Sequence, residues 1–340
     1  MTRQNSSSIS KPFLLKPASK DYLWGGNRLN DEFAKNIDSS PLAETWECST
    51  HPDGVSIVSS GVFEGTGLDK VIEEHPEFLG SHPLENCIGE KPELPILIKF
   101  IDANKDLSVQ VHPDDEYAFA NENGQRGKTE MWYVLDAAKD ASLIYGLQLG
   151  AGKDRIREAI DKGELEKYLR KISVRRDDVF FIRPGTIHAI GAGTLVAEIQ
   201  ESSNLTYRLY DYDRTDKYGN KRQLHIDKAL EVSDLKASRA PKQPMRIMNY
   251  RKGWATEMIG RCKYFEVHRT ILNTERMRDL VDYIPDEKSF RVLLCVTGCG
   301  MMIFDDGESI PFFKGDCIFV PATSEGFKLH GRAQLLDVRG

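Results

Sequence analysis

Two histidines, a glutamate and a glutamine stand at predicted strand ends in this 340-residue chain, and their side chains are the ones that could bind a metal ion. In the stretch LSVQVHPDD, Gln110 and His112 share one face of an extended backbone, and Pro113 ends that strand. Glu130 opens the apolar stretch EMWYVLDA, and His188 follows a Pro-Gly turn in FFIRPGTIHAIG. Pairing of the first two strands would bring Gln110, His112 and Glu130 together. A divalent metal such as zinc accepts these donors.

Each of these residues also has an ordinary structural interpretation. A single histidine near a strand end is more often a hydrogen-bonded surface or core residue than a metal ligand. The combination favours a metal site, because every member lies at a strand edge beside a turn.

A single lysine interrupts the otherwise apolar strand LPILIKFIDA. Lys99 must reach solvent or a partner, since an unpaired ammonium costs several kcal/mol to bury. One interpretation is an edge lysine whose head reaches water. The other is a cation that faces an anionic ligand.

An arginine lies on the polar face of the predicted strand NLTYRLYDYD. Arg208 shares this face with Thr206 and Tyr210. Judged from the residues alone, an ordinary salt bridge with Asp211 or Asp213 is the favoured interpretation.

The overall composition is that of a globular chain, with 40% hydrophobic and 29% charged residues. The net charge of −6 argues against broad affinity for nucleic acid but allows a local basic pocket for a phosphate. The six scattered cysteines contain no C-x-x-C pair, which predicts reduced thiols and a cytoplasmic protein. We expect neither a secretory signal nor a membrane span, because the N-terminus lacks an apolar segment and no run of about 18 apolar residues occurs.

Several motifs together resemble one enzyme family. SVQVHPDDEYA, GKTEMWYVLDA, FIRPGTIHAIGAGTLVAEIQESSN and TYRLYDYDR are similar to type I mannose-6-phosphate isomerase in its shorter bacterial form. The resemblance runs from about Phe13 to Gly340 and is densest between Lys99 and Arg214. It implies a mainly β fold with helical insertions and two cupin-type jelly-roll barrels, the first metal-binding and the second degenerate.

The resemblance also implies an activity and its partners. The family interconverts mannose 6-phosphate and fructose 6-phosphate, an aldose–ketose isomerisation through an enediolate, with one Zn²⁺ per chain. The expected partner is a small-molecule sugar phosphate, with neither nucleic acid nor membrane, and the expected state is a monomer or weak homodimer.

Individual residues match the family's motifs at positions that imply roles. The implied zinc ligands are Gln110, His112, Glu130 and His188. The implied catalytic residues are Arg208, Lys128 and Glu198, and the implied substrate-binding residues are Ser108, Lys99 and Arg214.

Two matters stay open at this point. The catalytic base is Glu198, Lys128 or a water molecule on the metal. The activity is the isomerisation above, a cupin isomerase with another sugar-phosphate preference, or sugar binding without catalysis.

The same motifs predict how the chain is divided. The segment GDCIFVPATSEGF echoes DDVFFIRPGTIHAI, but Glu325 falls near the place of His188 and no H-x-H equivalent precedes it. We therefore expect the second barrel to lack the metal site. The predicted segments are a disordered tail (1–11), a catalytic domain (12–240) with a helical insertion at about 151–172, a linker (241–254) and a C-terminal β domain (255–340).

Overall fold

The apolar stretches of the sequence form three β-sheets in the computed structural model, which describes residues 9–85, 92–215, 218–239, 241 and 243–340. The strands, numbered in chain order, are β1 Phe13–Lys16, β2 Ala18–Lys20, β3 Glu44–Cys48, β4 Ile57–Val58, β5 Ile96–Ala103, β6 Val109–Val111, β7 Glu130–Ala137, β8 Ser142–Leu147, β9 Leu169–Ser173, β10 Val179–Ile182, β11 His188–Ile190, β12 Thr194–Glu201, β13 Tyr207–Tyr210, β14 Asn249–Arg251, β15 Trp254–Arg261, β16 Glu266–Asn273, β17 Val281–Tyr283, β18 Arg291–Ile303, β19 Ser309–Phe313, β20 Cys317–Val320 and β21 Phe327–Arg339.

Short helices connect the strands. The α-helices are α1 Arg28–Phe33, α2 Leu68–Glu74, α3 Ser81–Glu85, α4 Asp115–Asn121, α5 Lys153–Asp161 and α6 Ile226–Val232. Single 3₁₀ turns occur at Gly61–Phe63, Pro76–Leu79 and Leu165–Lys167. Among the described helices, none is both long enough and apolar enough to cross a membrane.

The three sheets differ in size and in strand order. The ten-stranded sheet runs β14-β15-β16-β21-β18-β20-β1-β4, with β17 beside β21 and β19 beside β18. The six-stranded sheet runs β10-β7-β12-β5-β3-β2, and the five-stranded sheet runs β13-β6-β11-β8-β9. Each sheet keeps two free ends in the described part of the chain. The fold is therefore mainly β, as predicted, but two closed jelly-roll barrels are not confirmed.

The six-stranded sheet is the middle layer of the molecule. Its strands β5 and β12 are buried at every residue, because both faces of the sheet are covered. One face packs Phe100 and Met131 against the ten-stranded sheet, in a core that includes Val292 and Phe319. Successive residues of a strand point to opposite faces. Lys99, the neighbour of Phe100, therefore points toward the five-stranded sheet.

The other face of the middle layer packs against the five-stranded sheet around Trp132, Val196 and Ile190. The far side of the five-stranded sheet is covered by α5 and α6, whose Ile156 and Leu230 join a third core. The functional side chains predicted from the sequence lie between these two sheets.

The pairing considered for the strands of Gln110 and Glu130 does not form. Strand β6 pairs with β11 and β13, whereas β7 pairs with β10 and β12, so the two strands lie in different sheets. Gln110 and Glu130 still converge, because the two sheets face one another. Period-2 patterning gives the face on which a side chain lies but not the neighbour of a strand.

The predicted helical insertion at about 151–172 contains one α-helix and also a strand. Gly163 follows α5 with a positive φ of 68°, and a single 3₁₀ turn comes next. Leu169–Ser173 then forms β9, which pairs with β8. Pairing with the edge of β8 thus makes this segment a strand although the sequence predicts helix, since tertiary pairing routinely overrides local propensity.

The two halves of the chain are interleaved. β1, from the N-terminus, pairs with β20 in the ten-stranded sheet and contributes Phe13 to its core. The predicted linker contains β14 and the first residue of β15. Residues 1–8 of the predicted tail lie outside the described residues, and Lys11 forms ion pairs with Asp306 and Glu308.

Candidate active site and metal centre

Two rows of side chains face each other between the five- and six-stranded sheets. In the first row, Gln110 of β6 lies opposite His188 of β11 on one side and Arg208 of β13 on the other. The second row crosses four strands of the middle sheet, and its members are Trp46, Lys99, Glu198 and Trp132. A cavity of about 280 Å³ between the rows is lined by Gln110 and Arg208 of the first, by Lys99 and Glu198 of the second, and by Lys128.

Three buried side chains converge beside this cavity. His112 Nε2 lies 3.1 Å from His188 Nε2 and 3.1 Å from Glu130 Oε1, and His188 Nε2 lies 3.6 Å from Glu130 Oε2. Ligands bound at about 2.1 Å in a tetrahedral shell lie about 3.4 Å apart. The three donors therefore have the spacing of ligands around one ion, and all three are buried.

The backbone determines which imidazole nitrogen faces the centre. His112 Nδ1 donates to the carbonyl oxygen of Leu205 at 2.8 Å, and His188 Nδ1 donates to that of Thr186 at 2.8 Å. Both Nε2 atoms then carry lone pairs that point at each other. Such lone pairs repel unless a cation lies between them, and an outer carbonyl partner of this kind is typical of metal-bound histidine.

Electrostatics favours the protonation states that a metal requires. Burial, together with the Lys128 ammonium, lowers the pKa of His112 to about 3, and burial also lowers the pKa of His188. Burial opposes ionisation of Glu130, but Lys128 and the two histidines outweigh it and hold the pKa of Glu130 well below its usual range. Neutral imidazoles and an ionised carboxylate are the metal-binding forms.

The carboxylate of Glu130 supports the same interpretation. Lys128 Nζ lies 2.7 Å from Glu130 Oε1, yet within the described residues neither carboxylate oxygen accepts a hydrogen bond of good geometry. Both oxygens are fully buried. A buried anion without hydrogen bonds is costly, and a bound cation would remove that cost. The residues therefore fit a divalent metal ion.

Gln110 lies at the edge of this group. Its amide nitrogen is 3.5 Å from His188 Nε2, which is longer than the two 3.1 Å separations that His112 makes and close to the 3.6 Å between His188 Nε2 and Glu130 Oε2. The amide is thus next to the metal donors.

Lys99 has anionic partners within the protein. Its side chain is 4% exposed, so the interpretation as an edge lysine that reaches water is wrong. Nζ lies 3.4 Å from Glu198 Oε1 and 3.8 Å from Glu44 Oε2. Burial opposes the charge, but these carboxylates outweigh it and raise the pKa of Lys99 above its usual value.

Glu198 is held by an indole. Trp132 Nε1 donates to Glu198 Oε2 at 2.8 Å, and Oε1 faces Lys99. Burial raises the pKa of Glu198, and the nearby charge of Glu130 adds to the effect. A carboxyl group with a raised pKa beside a cavity suits general acid–base work.

Within the described part of the chain, Arg208 donates its hydrogen bonds to neutral polar groups and not to a carboxylate. Its Nε donates to Ser108 Oγ at 3.2 Å, and Nη1 donates to the carbonyl oxygen of Gln223 at 2.8 Å. Among the described residues, no carboxylate lies within 4.0 Å of its guanidinium. Asp211 instead pairs with Arg214 and Arg222, so the salt bridge favoured by the residues alone does not form.

Burial, aided by the neighbouring Arg222, lowers the pKa of Arg208. Arginine nevertheless keeps its charge in proteins. The cavity therefore holds a fixed cation at the end where Ser108 lies.

Of the ten residues singled out from the sequence, Arg214 alone is placed elsewhere. It binds Asp211 and the carbonyl oxygen of Asp106 and lines a neighbouring cavity of about 260 Å³. Arg222, which the sequence analysis missed, lines both cavities. It comes from a charged turn with no pattern to reveal it.

Glu44 was also missed, although it lines the main cavity. The only signal available was its position two residues before Trp46 in a predicted strand. That pattern indicates a shared face without indicating what the face meets.

Comparisons with known proteins agree with this geometry. Residues 13–139 match the family model "Phosphomannose isomerase type I, catalytic domain", and residues 255–339 match "Mannose-6-phosphate isomerase, cupin domain". The chain is 37% identical to mannose-6-phosphate isomerase ManA of Bacillus subtilis (strain 168), over 96% of this chain and 98% of that protein. It is 35% identical to mannose-6-phosphate isomerase of Streptococcus mutans, over 96% and 98% of the two chains.

A solved structure is similar over nearly the whole length. The crystal structure of the mannose 6-phosphate isomerase from Bacillus subtilis superposes with a TM-score of 0.86 at 34% identity, covering 96% of this chain and 99% of the other. The family models, the sequence identity and the fold together show that this chain belongs to the type I phosphomannose isomerase family.

Proposed function

We propose that the chain interconverts mannose 6-phosphate and fructose 6-phosphate by moving hydrogen between C1 and C2 of the open-chain sugar, with one zinc ion per chain. The observation that carries this proposal is the convergence of His112, Glu130 and His188 next to two residues, Gln110 and Lys128, that line a cavity together with Glu198 and Arg208. A metal-binding group, an acid–base group and a fixed cation are the parts that such an isomerisation requires.

The donor set supports zinc. Two imidazole nitrogens and one carboxylate oxygen are common zinc ligands, and we propose the Gln110 amide oxygen as a fourth. When bound, the ion polarises the oxygens at C1 and C2 and stabilises negative charge on them. The carbonyl groups of Leu205 and Thr186 hold the two histidines in the ligating tautomer.

We propose Glu198 as the residue that moves the proton. In the aldose-to-ketose direction a base takes the proton from C2 and returns it to C1, while O1 gains a proton and O2 loses one. The Glu198 carboxylate is fixed by Trp132 and borders the cavity, so it can serve in both steps. Lys128, beside Glu130, is the alternative proton carrier.

Two guanidinium groups support binding of an anionic substrate. Arg208 and Arg222 both line the cavity, and Ser108 Oγ lies beside Arg208. We propose that Arg208 stabilises the enediolate oxygens and that Ser108 and Arg222 lie toward the phosphate. Arg214 then acts indirectly, by holding Asp211, which binds Arg222.

We propose the domain division, assembly state and location as follows. Residues 12–240 form the catalytic cupin unit, and 255–340 form a cupin unit without a metal site, joined by 241–254. Within the described residues, the one group of three or more His, Cys, Asp or Glu side chains with metal-binding spacing is the triad above. The enzyme acts as a monomer or weak homodimer in the cytoplasm.

A coupled assay with metal analysis tests the proposal. Purified chain should contain about one zinc ion and form fructose 6-phosphate from mannose 6-phosphate faster than it converts glucose 6-phosphate. A zinc-loaded protein that prefers another aldose phosphate would reassign the substrate. A protein that binds sugar phosphate without turnover would contradict catalysis.

A further inference from the structure

Glu44 contributes a second carboxylate to the cavity, and neither the sequence motifs nor the proposed mechanism gives it a role. It lies at the start of β3, its side chain is 10% exposed, and it borders the cavity that contains Glu198 and Lys99. A buried carboxylate at the edge of a reaction cavity requires a physical reason, because burial of its charge is costly.

Lys99 lies between the two carboxylates and is bound tightly by neither. Its Nζ is 3.4 Å from Glu198 Oε1 and 3.8 Å from Glu44 Oε2, and it also lies 4.8 Å from the centre of the Trp46 ring. Direct hydrogen bonds between an ammonium and a carboxylate are about 2.7–2.9 Å long. One cation is therefore shared between two anions.

The two carboxylates are held in the same way. Trp46 Nε1 donates to Glu44 Oε2 at 2.8 Å, and Trp132 Nε1 donates to Glu198 Oε2 at 2.8 Å. Each indole fixes one oxygen. The second oxygen of Glu198 remains directed at Lys99.

Sharing of Lys99 has a consequence for the acid–base group. With one carboxylate, a buried lysine would close into a direct ion pair, and that pair would immobilise the carboxylate. A second carboxylate attracts the ammonium from the opposite side and prevents closure. Glu198 then keeps an oxygen that can approach a substrate hydrogen.

We propose that Glu44 is a positioning residue for the isomerisation: by competing for Lys99, it keeps the Glu198 carboxylate from closing a direct ion pair with that lysine. The inference rests on the role proposed above for Glu198. Glu44 itself need not touch the reacting carbon atoms.

The main test is the variant Glu44→Gln, which retains an acceptor for Trp46 Nε1 but removes the charge. We expect kcat to fall about 10-fold, a part of the 10²–10⁴-fold that acid–base catalysis supplies, with KM within about twofold of wild type. Glu44→Asp restores the charge and should recover most of kcat. Zinc content should stay at the wild-type value.

The matched control is Glu47→Gln on the opposite face of β3. Glu47 is also buried, even more completely than Glu44, and pairs with Lys35 at 2.6 Å, away from the cavity. Its loss should lower the melting temperature without changing kcat. A fall in kcat of the same size in both variants would show a general effect on the strand and would overturn the proposal.

A double-mutant cycle separates positioning from an independent effect. If Glu44 acts through Glu198, the pair Glu44→Gln/Glu198→Gln should be no slower than Glu198→Gln alone. Additive losses, or a Glu44→Gln enzyme with wild-type kcat beside an impaired Glu198→Gln enzyme, would overturn this inference alone. Wild-type turnover of Glu198→Gln would instead refute the proposed role of Glu198, and the inference with it.

A second variant covers the case in which Glu44→Gln does not fold. Trp46→Phe keeps an aromatic ring beside Lys99 but removes the N–H that fixes Glu44. Without the indole, the Glu44 carboxylate can turn away from Lys99, so a loss of kcat in the same direction is expected, and wild-type kcat in folded Trp46→Phe protein would count against the proposal.

Discussion

Strand β3 carries buried glutamates on both faces, and the two faces behave differently. On one face, Glu47 is fully buried and lies 2.6 Å from Lys35, and Thr45 Oγ1 also donates to its carboxylate. On the other face, Glu44 and Glu198 share Lys99 at 3.8 and 3.4 Å beside a cavity. Both sets consist of lysine and glutamate in the interior.

The difference shows that burial alone does not mark a functional group. The Lys35–Glu47 pair is closed by direct contact, and Lys35 also donates to the carbonyl oxygen of Gly315, so it has the features of a structural pair. The Lys99 network has one more anion than cations, longer separations and an open cavity. Such an arrangement leaves a charged group available to a ligand.

Among the substitutions predicted to affect the cavity between the five- and six-stranded sheets, loss of a metal ligand should have the largest effect. We expect His112→Ala to lose most of its bound zinc and nearly all turnover, because one of the proposed protein ligands is removed. Metal analysis with the coupled assay measures both. His268→Ala, on β16 of the ten-stranded sheet, is the control and should keep its zinc. Stoichiometric zinc and near-normal activity in His112→Ala would refute the ligand assignment.

Loss of the fixed cation should have the next largest effect. Arg208→Ala should lower kcat by about 10²–10³, because one preorganised donor to the transition state is lost. Arg208→Lys should recover little, since lysine lacks the planar fork. Zinc content and melting temperature should stay close to wild type. A kcat within about threefold of wild type would contradict a catalytic role.

Disruption of the Lys35–Glu47 ion pair should lower stability without changing turnover. Glu47→Gln leaves the buried Lys35 without its anion, and we expect the free energy of unfolding to fall by about 3 kcal/mol. Urea unfolding measures this loss, and the coupled assay should give a kcat within about twofold of wild type. A large drop in kcat with unchanged stability would reverse the distinction between the two faces of β3.

Another buried carboxyl group, that of Glu201, should make the free energy of unfolding depend on pH. Burial raises the pKa of Glu201 to about 7 from an ordinary value of 4.5, and the Thr129 N–H that its carboxylate accepts only partly offsets this rise. Between these values the folded state binds more protons than the unfolded state. The free energy of unfolding should therefore fall as pH rises from about 5 to 7, by at most about 3 kcal/mol.

The control for this pH effect is Glu201→Gln, which should flatten the slope of unfolding free energy against pH. An identical slope in wild type and variant would assign the pH dependence to other groups.

Much of the site could be predicted from local sequence. Alternation placed Gln110 and His112 on one face, Glu130 opened a predicted strand, and His188 followed a Pro-Gly turn; in the structure β7 and β11 begin at these two residues. The motifs indicated the family that the comparisons show. An unpaired lysine in an apolar strand demanded a partner, and Lys99 has two.

Other features could not be predicted because they depend on which strands become neighbours. The sequence suggested that β6 and β7 pair, yet they face one another from two sheets. Arg222 entered the cavity wall and Arg214 did not, although both are arginines of the same charged region that bind Asp211. A turn without periodicity carries no information about its direction.

The sequence by itself determined the residue types, the faces on which they lie and the family. Tertiary structure alone decided that Glu44 meets Lys99 while Glu47 meets Lys35. The reason is that alternation along β3 sends the two glutamates to opposite faces, whereas the identity of each facing layer comes from long-range packing of three sheets.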